Sequence, residues 1–599
     1  MYRLVMSVSL AVVSAAPLLA QALRTSAPIT DVRYEITADS SAVGRRQLGV
    51  SMTFHVNGTA PVVLALPAWS PGHYVLLWFA RRVSQFGAES DGAPLAWRKL
   101  DYQTWEISPR SAGTVRVSFR YLADAVDRAV AWTAPNFAFF NGTNLFLYPA
   151  GRGFDWPAQV TVKTEPSWRI ATGMDPAGAP NSFKASNYHD LTDMPFYVGR
   201  FGFDSTQVGG KWIRLAFYPA ASLTTARRDR TFAWLQKIFP AHTAVFGEAP
   251  FRNYTLFQRS DTVVNGGGLE HQSSQVDEVL TSQLDAGYLP GLYSHEAFHA
   301  WNVKRLRPAD MVPYRYDDAQ PTTWLWVSEG VTDYYGELGL IRGGISDSAA
   351  FFNGIGGFIA QTVSAPGIAV SDASLSPWIA PTDGSGGLYY PKGALIGFLL
   401  DIMIRDASDN HSSLDHVMRM LYNNTFKRGR GFTSADWWGE VGRAAGGRSF
   451  TDFARRYVDG REPLPTDSVM RLAGLQSRID TIREPRLGVS TATDADGVSI
   501  TAIGPGGAAE ASGLRVGDRL VSIGDVAITN DDSFDAFREH YAGTSLTTLP
   551  LVVRRGGQTV SLQLPVRLFS RTFTQVSTIP GASEKAVRIR NGIMKGTTS

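Results

Sequence analysis

The sequence predicts a multidomain α+β protein. Its 599 residues exceed what one hydrophobic core organises and suggest roughly three to five domains at ordinary domain sizes. Strand-like segments broken by Gly, Pro, Asn and Asp clusters occupy residues 31–203, helical signals dominate 290–459, and a second strand-rich block runs over 485–566. With 44% hydrophobic and 19% charged residues, the composition is globular.

Residues 1–22 read as a signal peptide. Arg3 supplies the positive start, Leu4 to Leu19 is nearly all apolar or small, and Ala20-Gln21-Ala22 fits a cleavage site after Ala22. The expected location is therefore periplasmic or extracellular. No later stretch reads as long and apolar enough to span a bilayer, so no membrane insertion is expected after cleavage.

The next block, 28–205, reads as an N-terminal β-sandwich. Val62 to Leu66 and Val115 to Phe119 have strand composition, with turn residues at short intervals. Beyond it the pattern changes. A strand over Trp212 to Tyr218 leads into a helical stretch from Leu223 to Phe246, interrupted by Pro240. A strand over Tyr254 to Phe257 follows, then Gly266-Gly267-Gly268. Arg461-Glu462-Pro463-Leu464-Pro465 marks the exit from the long helical region. The last residues, 568–599, read as a polar tail.

Charge and cysteine usage narrow the chemistry. A net charge of +3 and the absence of long Lys/Arg runs give no case for nucleic-acid binding. With no cysteine, disulfides, thiolate ligands and a Cys nucleophile are excluded. A metal site must use His, Asp and Glu, a donor set suited to zinc.

Such a site is legible. His295-Glu296-Ala297-Phe298-His299 has the pattern H-E-x-x-H. On a helix, positions i and i+4 share a face, so both imidazoles reach one ion, and Glu296 is placed to act as general base on a water there. Catalytic zinc takes three protein ligands and keeps a position open. Glu329, on the segment Leu325 to Asp333, is the expected third ligand of a single zinc ion. Asp333, one turn later, is expected to accept the outer N–H of a ligating His and fix its tautomer.

H-E-x-x-H followed by a helix bearing E-x-x-x-D resembles the gluzincin metallopeptidases. The wider strings His295 to Pro308 and Trp326 to Tyr335 resemble the glycyl aminopeptidase family of PDZ-containing gluzincins. The resemblance covers nearly the whole chain after the signal peptide. It implies a thermolysin-like catalytic domain over 206–345, an α-helical domain over 346–480 and a PDZ domain over 484–567. It also implies roles for further residues. Gly267, Gly268 and Glu270 match the Gly-x-x-Glu segment that lies along the substrate, with Glu270 binding the free α-amine. His271 replaces the Asn of the larger aminopeptidase group, so the hydrogen bonding there is not carried over. Tyr390 matches the oxyanion-binding Tyr of Tyr-x-Lys-Gly, with Tyr389 the alternative. Lys304, Arg305 and Arg307 are expected in internal ion pairs rather than on substrate.

Arg486-Leu487-Gly488-Val489, with Gly513 to Gly524 further on, resembles a PDZ domain. That implies a groove beside a helix over Ser533 to Tyr541, with the loop Leu487, Gly488, Val489 holding a peptide C-terminus. The expected activity is a zinc aminopeptidase acting on peptides with a free N-terminus. A preference for Gly or Ala follows from the resemblance alone. Two alternatives stay open: a periplasmic PDZ-containing zinc endopeptidase acting on damaged proteins, and a non-catalytic peptide-binding protein.

Overall fold

The structure, a computed structural model, describes residues 25–264, 266–494, 496–530 and 533–598. The expected signal peptide lies outside them. Among the described residues no helix is long and apolar enough to cross a membrane.

The N-terminal block is β-rich, as read, and contains one eight-stranded and two four-stranded sheets. Alternation drives its burial. Along Thr30–Thr37, Val32, Tyr34 and Ile36 turn inward while their neighbours face out. Val62–Ala65 is buried at every position, because it is covered on both faces. Ile36, Met52, Leu64, Trp105 and Val117 belong to one core.

The next sheet carries the chemistry. Its five strands run in the order Gly202–Val208, Lys211–Tyr218, Asn253–Asp261, Ser274–Leu280, Glu270–His271. The three inner strands are parallel and the two outer ones antiparallel. Parallel neighbours need a crossover, and the helix Thr225–Phe246 supplies it between the second and third strands. Pro240 does not interrupt that helix. It sits on the exposed face, where the carbonyl that loses its donor can be hydrated.

The helix Leu289–Phe298 follows, then a π-helical turn, Trp326–Val331, that continues into the helix Thr332–Arg342. The helix Tyr389–Ala407 is buried at every position from Pro391 to Arg405, as a helix at the centre of a bundle must be. Its Asp401 and Arg405 are fully buried and pair at 3.0 Å.

A second core, built from Leu487, Val498, Ile500, Ile523, Phe537 and Leu551 among others, belongs to the C-terminal strand-rich module. A two-stranded antiparallel ladder, Leu475–Pro485 on Leu568–Thr578, connects it to the rest. Residues 568–598 are therefore not the polar tail that the sequence suggests. Their strand is paired along its length, and the helix Glu584–Lys595 that follows buries Ala586, Ile589, Gly592 and Ile593. The helix docks on two arginines. Arg405 donates to Thr597 O at 2.8 Å and Arg342 to Ile593 O at 3.1 Å. Composition hides this, because the strand's partner is about a hundred residues upstream and the helix has one narrow apolar stripe on a polar background.

Candidate metal and substrate site

The H-E-x-x-H segment lies on the helix Leu289–Phe298, with His299 continuing it in right-handed geometry as the capping residue. Its two imidazoles therefore meet, with Nε2 atoms 3.0 Å apart. Glu329 enters from the π-helical turn, its Oε2 3.6 Å from His295 Nε2 and 3.3 Å from His299 Nε2. A π-turn shifts side chains out of α-helical register, a device common at functional sites.

The outer nitrogens decide which atoms face inward. His299 Nδ1 donates to Asn302 O at 2.7 Å, and His295 Nδ1 lies 2.7 Å from Asp333 Oδ1. A proton on each Nδ1, bonded to Asn302 O in His299 and facing the Asp333 carboxylate in His295, leaves the Nε2 atoms presenting lone pairs. Two such lone pairs and a carboxylate oxygen then converge with no proton between them, an arrangement that a cation relieves. Zinc ligands about 2.0–2.1 Å from the ion in a tetrahedron sit roughly 3.3 Å from one another. The observed 3.0, 3.3 and 3.6 Å separations bracket that edge, so these three residues fit zinc. Glu296 points into the same space with Oε2 buried and without a hydrogen-bond partner. Burial pushes its carboxyl upward, partly opposed by the two histidines.

Gly268 runs against this base: a Cβ there would lie 2.2 Å from Glu296 Oε1. Only glycine lets the backbone pass so close. The segment then pairs with Ser274–Leu280, through Glu278 N to Gly267 O and the two Leu269–Val276 bonds, all at 2.9 Å. Two residues on, on the same face, stands Glu270. Its carboxyl is pushed up to about 7 by burial, against the pull of Lys304. Its Oε1 has no hydrogen-bond partner.

Tyr389 and Tyr390 line the same cavity, and the Tyr390 ring centroid is 6.2 Å from that of His295. Burial pushes the Tyr390 phenol up, so it stays a donor at neutral pH. Two glycines set its position. A Cβ on Gly330 would lie 2.4 Å from Tyr389 O, and one on Gly393 would lie 2.4 Å from Trp326 O. The π-turn and the tyrosine-bearing helix touch backbone to backbone there.

The structure thus gathers His295, Glu296, His299, Glu329, Gly268, Glu270 and Tyr390 around one cavity of about 190 Å³. Asp333 stands behind His295. Gly267 lies on the same strand, towards Arg128. Leu487, Gly488 and Val489 line a separate groove of about 970 Å³ with Phe534, Phe537 and Arg538. The strand Val489–Asp494 is an edge of its sheet.

Sequence reasoning passed over part of the wall. Gly72, His73, Tyr74 and Arg128, all from the N-terminal block, line the cavity. Tyr74 Oη is 3.4 Å from Glu329 Oε1, and a Cβ on Gly72 would lie 2.5 Å from Glu270 Oε2. No local motif marks these residues, because only the packing of the two blocks brings them in. Lys304 is internal: it pairs with Asp193 at 3.0 Å and stands 3.9 Å from Glu270. Arg305 and Arg307 hold backbone carbonyls instead of carboxylates.

This geometry can be set beside known proteins. Three family profiles match: Peptidase M61 N-terminal domain over residues 33–200, M61 glycyl aminopeptidase over 289–396, and PDZ domain over 476–546. An aminopeptidase N family protein from Idiomarina loihiensis is 24% identical. The match covers 93% of this chain and 99% of that one, with a TM-score of 0.71. An M1 zinc metallopeptidase from Deinococcus radiodurans is 16% identical over 74% of this chain and 96% of its own, with a TM-score of 0.49. No curated protein matches. Fold and profiles together define a multidomain peptidase architecture closed by a PDZ domain. The first two profiles are both of the M61 peptidase family, the family that the sequence resembles.

Proposed function

We propose that this protein is a zinc-dependent aminopeptidase that removes small N-terminal residues from peptides. One observation carries the reading. A buried carboxylate, Glu270, whose Oε1 makes no hydrogen bond and has Lys304 no nearer than 3.9 Å, shares one cavity with the His295–His299–Glu329 donor set and with Glu296, whose Oε2 makes none either. A buried carboxylate with a free oxygen calls for a cation, and the α-ammonium of a peptide supplies one through charge-assisted hydrogen bonds.

His295, His299 and Glu329 would hold one zinc ion, with Asp333 and Asn302 fixing the imidazoles. When bound, zinc supplies Lewis acidity to a scissile carbonyl and to water. Glu296 takes the proton of the attacking water and passes it to the leaving amine, a role that suits a buried carboxylate of raised affinity for protons. Tyr390 donates to the oxygen on which negative charge develops. Glu270 fixes the N-terminus, so the bond that meets Glu296 is the first. The small cavity, walled by Tyr74, Tyr389 and Tyr390, supports a preference for Gly or Ala. The edge strand Val489–Asp494 offers unpaired backbone groups for a peptide to add as a further strand. Residues 1–22 support export.

Acetylation tests the reading. Free-amine peptides should be hydrolysed and their N-acetyl counterparts should resist. Glu270→Ala should lose roughly 10- to 100-fold on free-amine substrates, the worth of a charge-assisted hydrogen bond. Full activity on acetylated peptides would reject the aminopeptidase in favour of an endopeptidase.

A further inference from the structure

The cavity has a charge at each end of the glycine strand, and only one has a role so far. Arg128 comes from the N-terminal block, between the strands Gly113–Leu122 and Trp132–Ala134. It donates from Nη1 to Gly266 O at 2.7 Å. Its Nε is buried without a hydrogen-bond partner, and it makes no ion pair among the described residues. A Cβ on Gly267 would lie 3.8 Å from its Nη2. Its backbone is fixed: Asn141 Nδ2 donates to Arg128 O at 2.8 Å and Asn144 Nδ2 to Ala129 O at 2.9 Å. A half-buried guanidinium held by its backbone, with a buried N–H to spare and no carboxylate within ion-pair distance among the described residues, is a prepared anion site.

Its place on the strand says which anion. Glu270 lies at one end of the segment, Gly268 in the middle touches Glu296, and Gly266 and Gly267 at the other end touch Arg128. Arg128 and Glu270 line one cavity of about 190 Å³ on either side of Gly268, so a short peptide is what fits between them. We propose that Arg128 binds the free α-carboxylate of a dipeptide whose α-ammonium is held by Glu270, so that dipeptides are the favoured substrates. The inference rests on the aminopeptidase reading of this cavity and narrows its substrate class.

The test compares kcat/KM for Ala-Ala and for Ala-Ala amide, which differ only in the terminal charge. Wild-type protein loaded with zinc should favour the acid by roughly 10- to 100-fold. In Arg128→Ala this ratio should fall towards one, and Arg128→Lys should restore part of it. The ratio is the proper readout because Arg128 also stands near Glu296, and its loss slows both substrates through the base. Calorimetry on the Glu296→Gln variant gives a measure without turnover: Ala-Ala should bind more tightly than its amide. Equal wild-type kcat/KM for acid and amide, or an acid-to-amide ratio unmoved by Arg128→Ala, overturns the proposal. If such a result comes with intact resistance of N-acetyl peptides, only the Arg128 assignment fails. Rapid cleavage of N-acetyl peptides removes the aminopeptidase reading and this inference with it.

Discussion

Each of the two histidines of the candidate metal site is held by a second residue. His299 is aimed by Asn302 O and His295 by Asp333, so their inward nitrogens need no reorganisation to meet a cation. Glu296 is buried with a free oxygen, the arrangement of a base that waits for a proton. At this scale the expected outcome is separation of chemistry from metal binding. Glu296→Gln should lose roughly three or more orders of magnitude in kcat while elemental analysis still finds about one zinc per chain. Loss of zinc in this variant would instead make Glu296 part of the binding set.

Two elements set the distances between these residues. The glycine strand brings backbone against Glu296, and the contact of the π-turn with the helix Tyr389–Ala407 brings Tyr390 towards His295. That contact depends on Gly330 and Gly393, since a methyl on Gly393 would sit 2.4 Å from Trp326 O. Gly393→Ala should therefore force the two elements apart. The expected cost is about 1–3 kcal/mol of stability, read by thermal melting. The accompanying fall in kcat should exceed that of a surface Gly→Ala such as Gly58→Ala, where a Cβ meets nothing within 4 Å.

Across the whole molecule, a buried charge cluster fastens the N-terminal block to the turn that follows the helix Leu289–Phe298. Asp193 lies 3.0 Å from Lys304 Nζ and 3.2 Å from His271 Nδ1, and its second oxygen accepts from Gln272 N at 2.7 Å. Burial alone would raise the Asp193 carboxyl, but Lys304 and His271 outweigh it and hold the group at about 2, below its ordinary 3.8. The ionised form is thus favoured by folding. Its stabilisation is complete above the ordinary value and is lost as pH falls through about 2. Wild-type melting temperature should accordingly drop between about pH 4 and pH 2. Asp193→Asn should cost about 3 kcal/mol at neutral pH, because buried Lys304 loses its close counter-charge and keeps only Glu270, 3.9 Å away. The same variant should show a flatter acid limb. Equal acid sensitivity in the two proteins would place the titrating group elsewhere.

The sequence by itself determined what depends on neighbours along the chain. Helical period puts His295 and His299 on one face, and the absence of cysteine restricts the metal donors. The order of β-rich, helical and β-rich blocks was legible for the same reason, since burial alternates or repeats locally. Tertiary structure decided what depends on distant segments. It brought Tyr74 and Arg128 to the candidate metal cavity, locked Lys304 onto Asp193, and turned residues 568–598 from a polar tail into a strand and a docked helix. In each case the partner lies about eighty or more residues away, and side-chain chemistry carries no mark of a distant partner. Only packing of the blocks, driven by their separate apolar faces, makes these pairs.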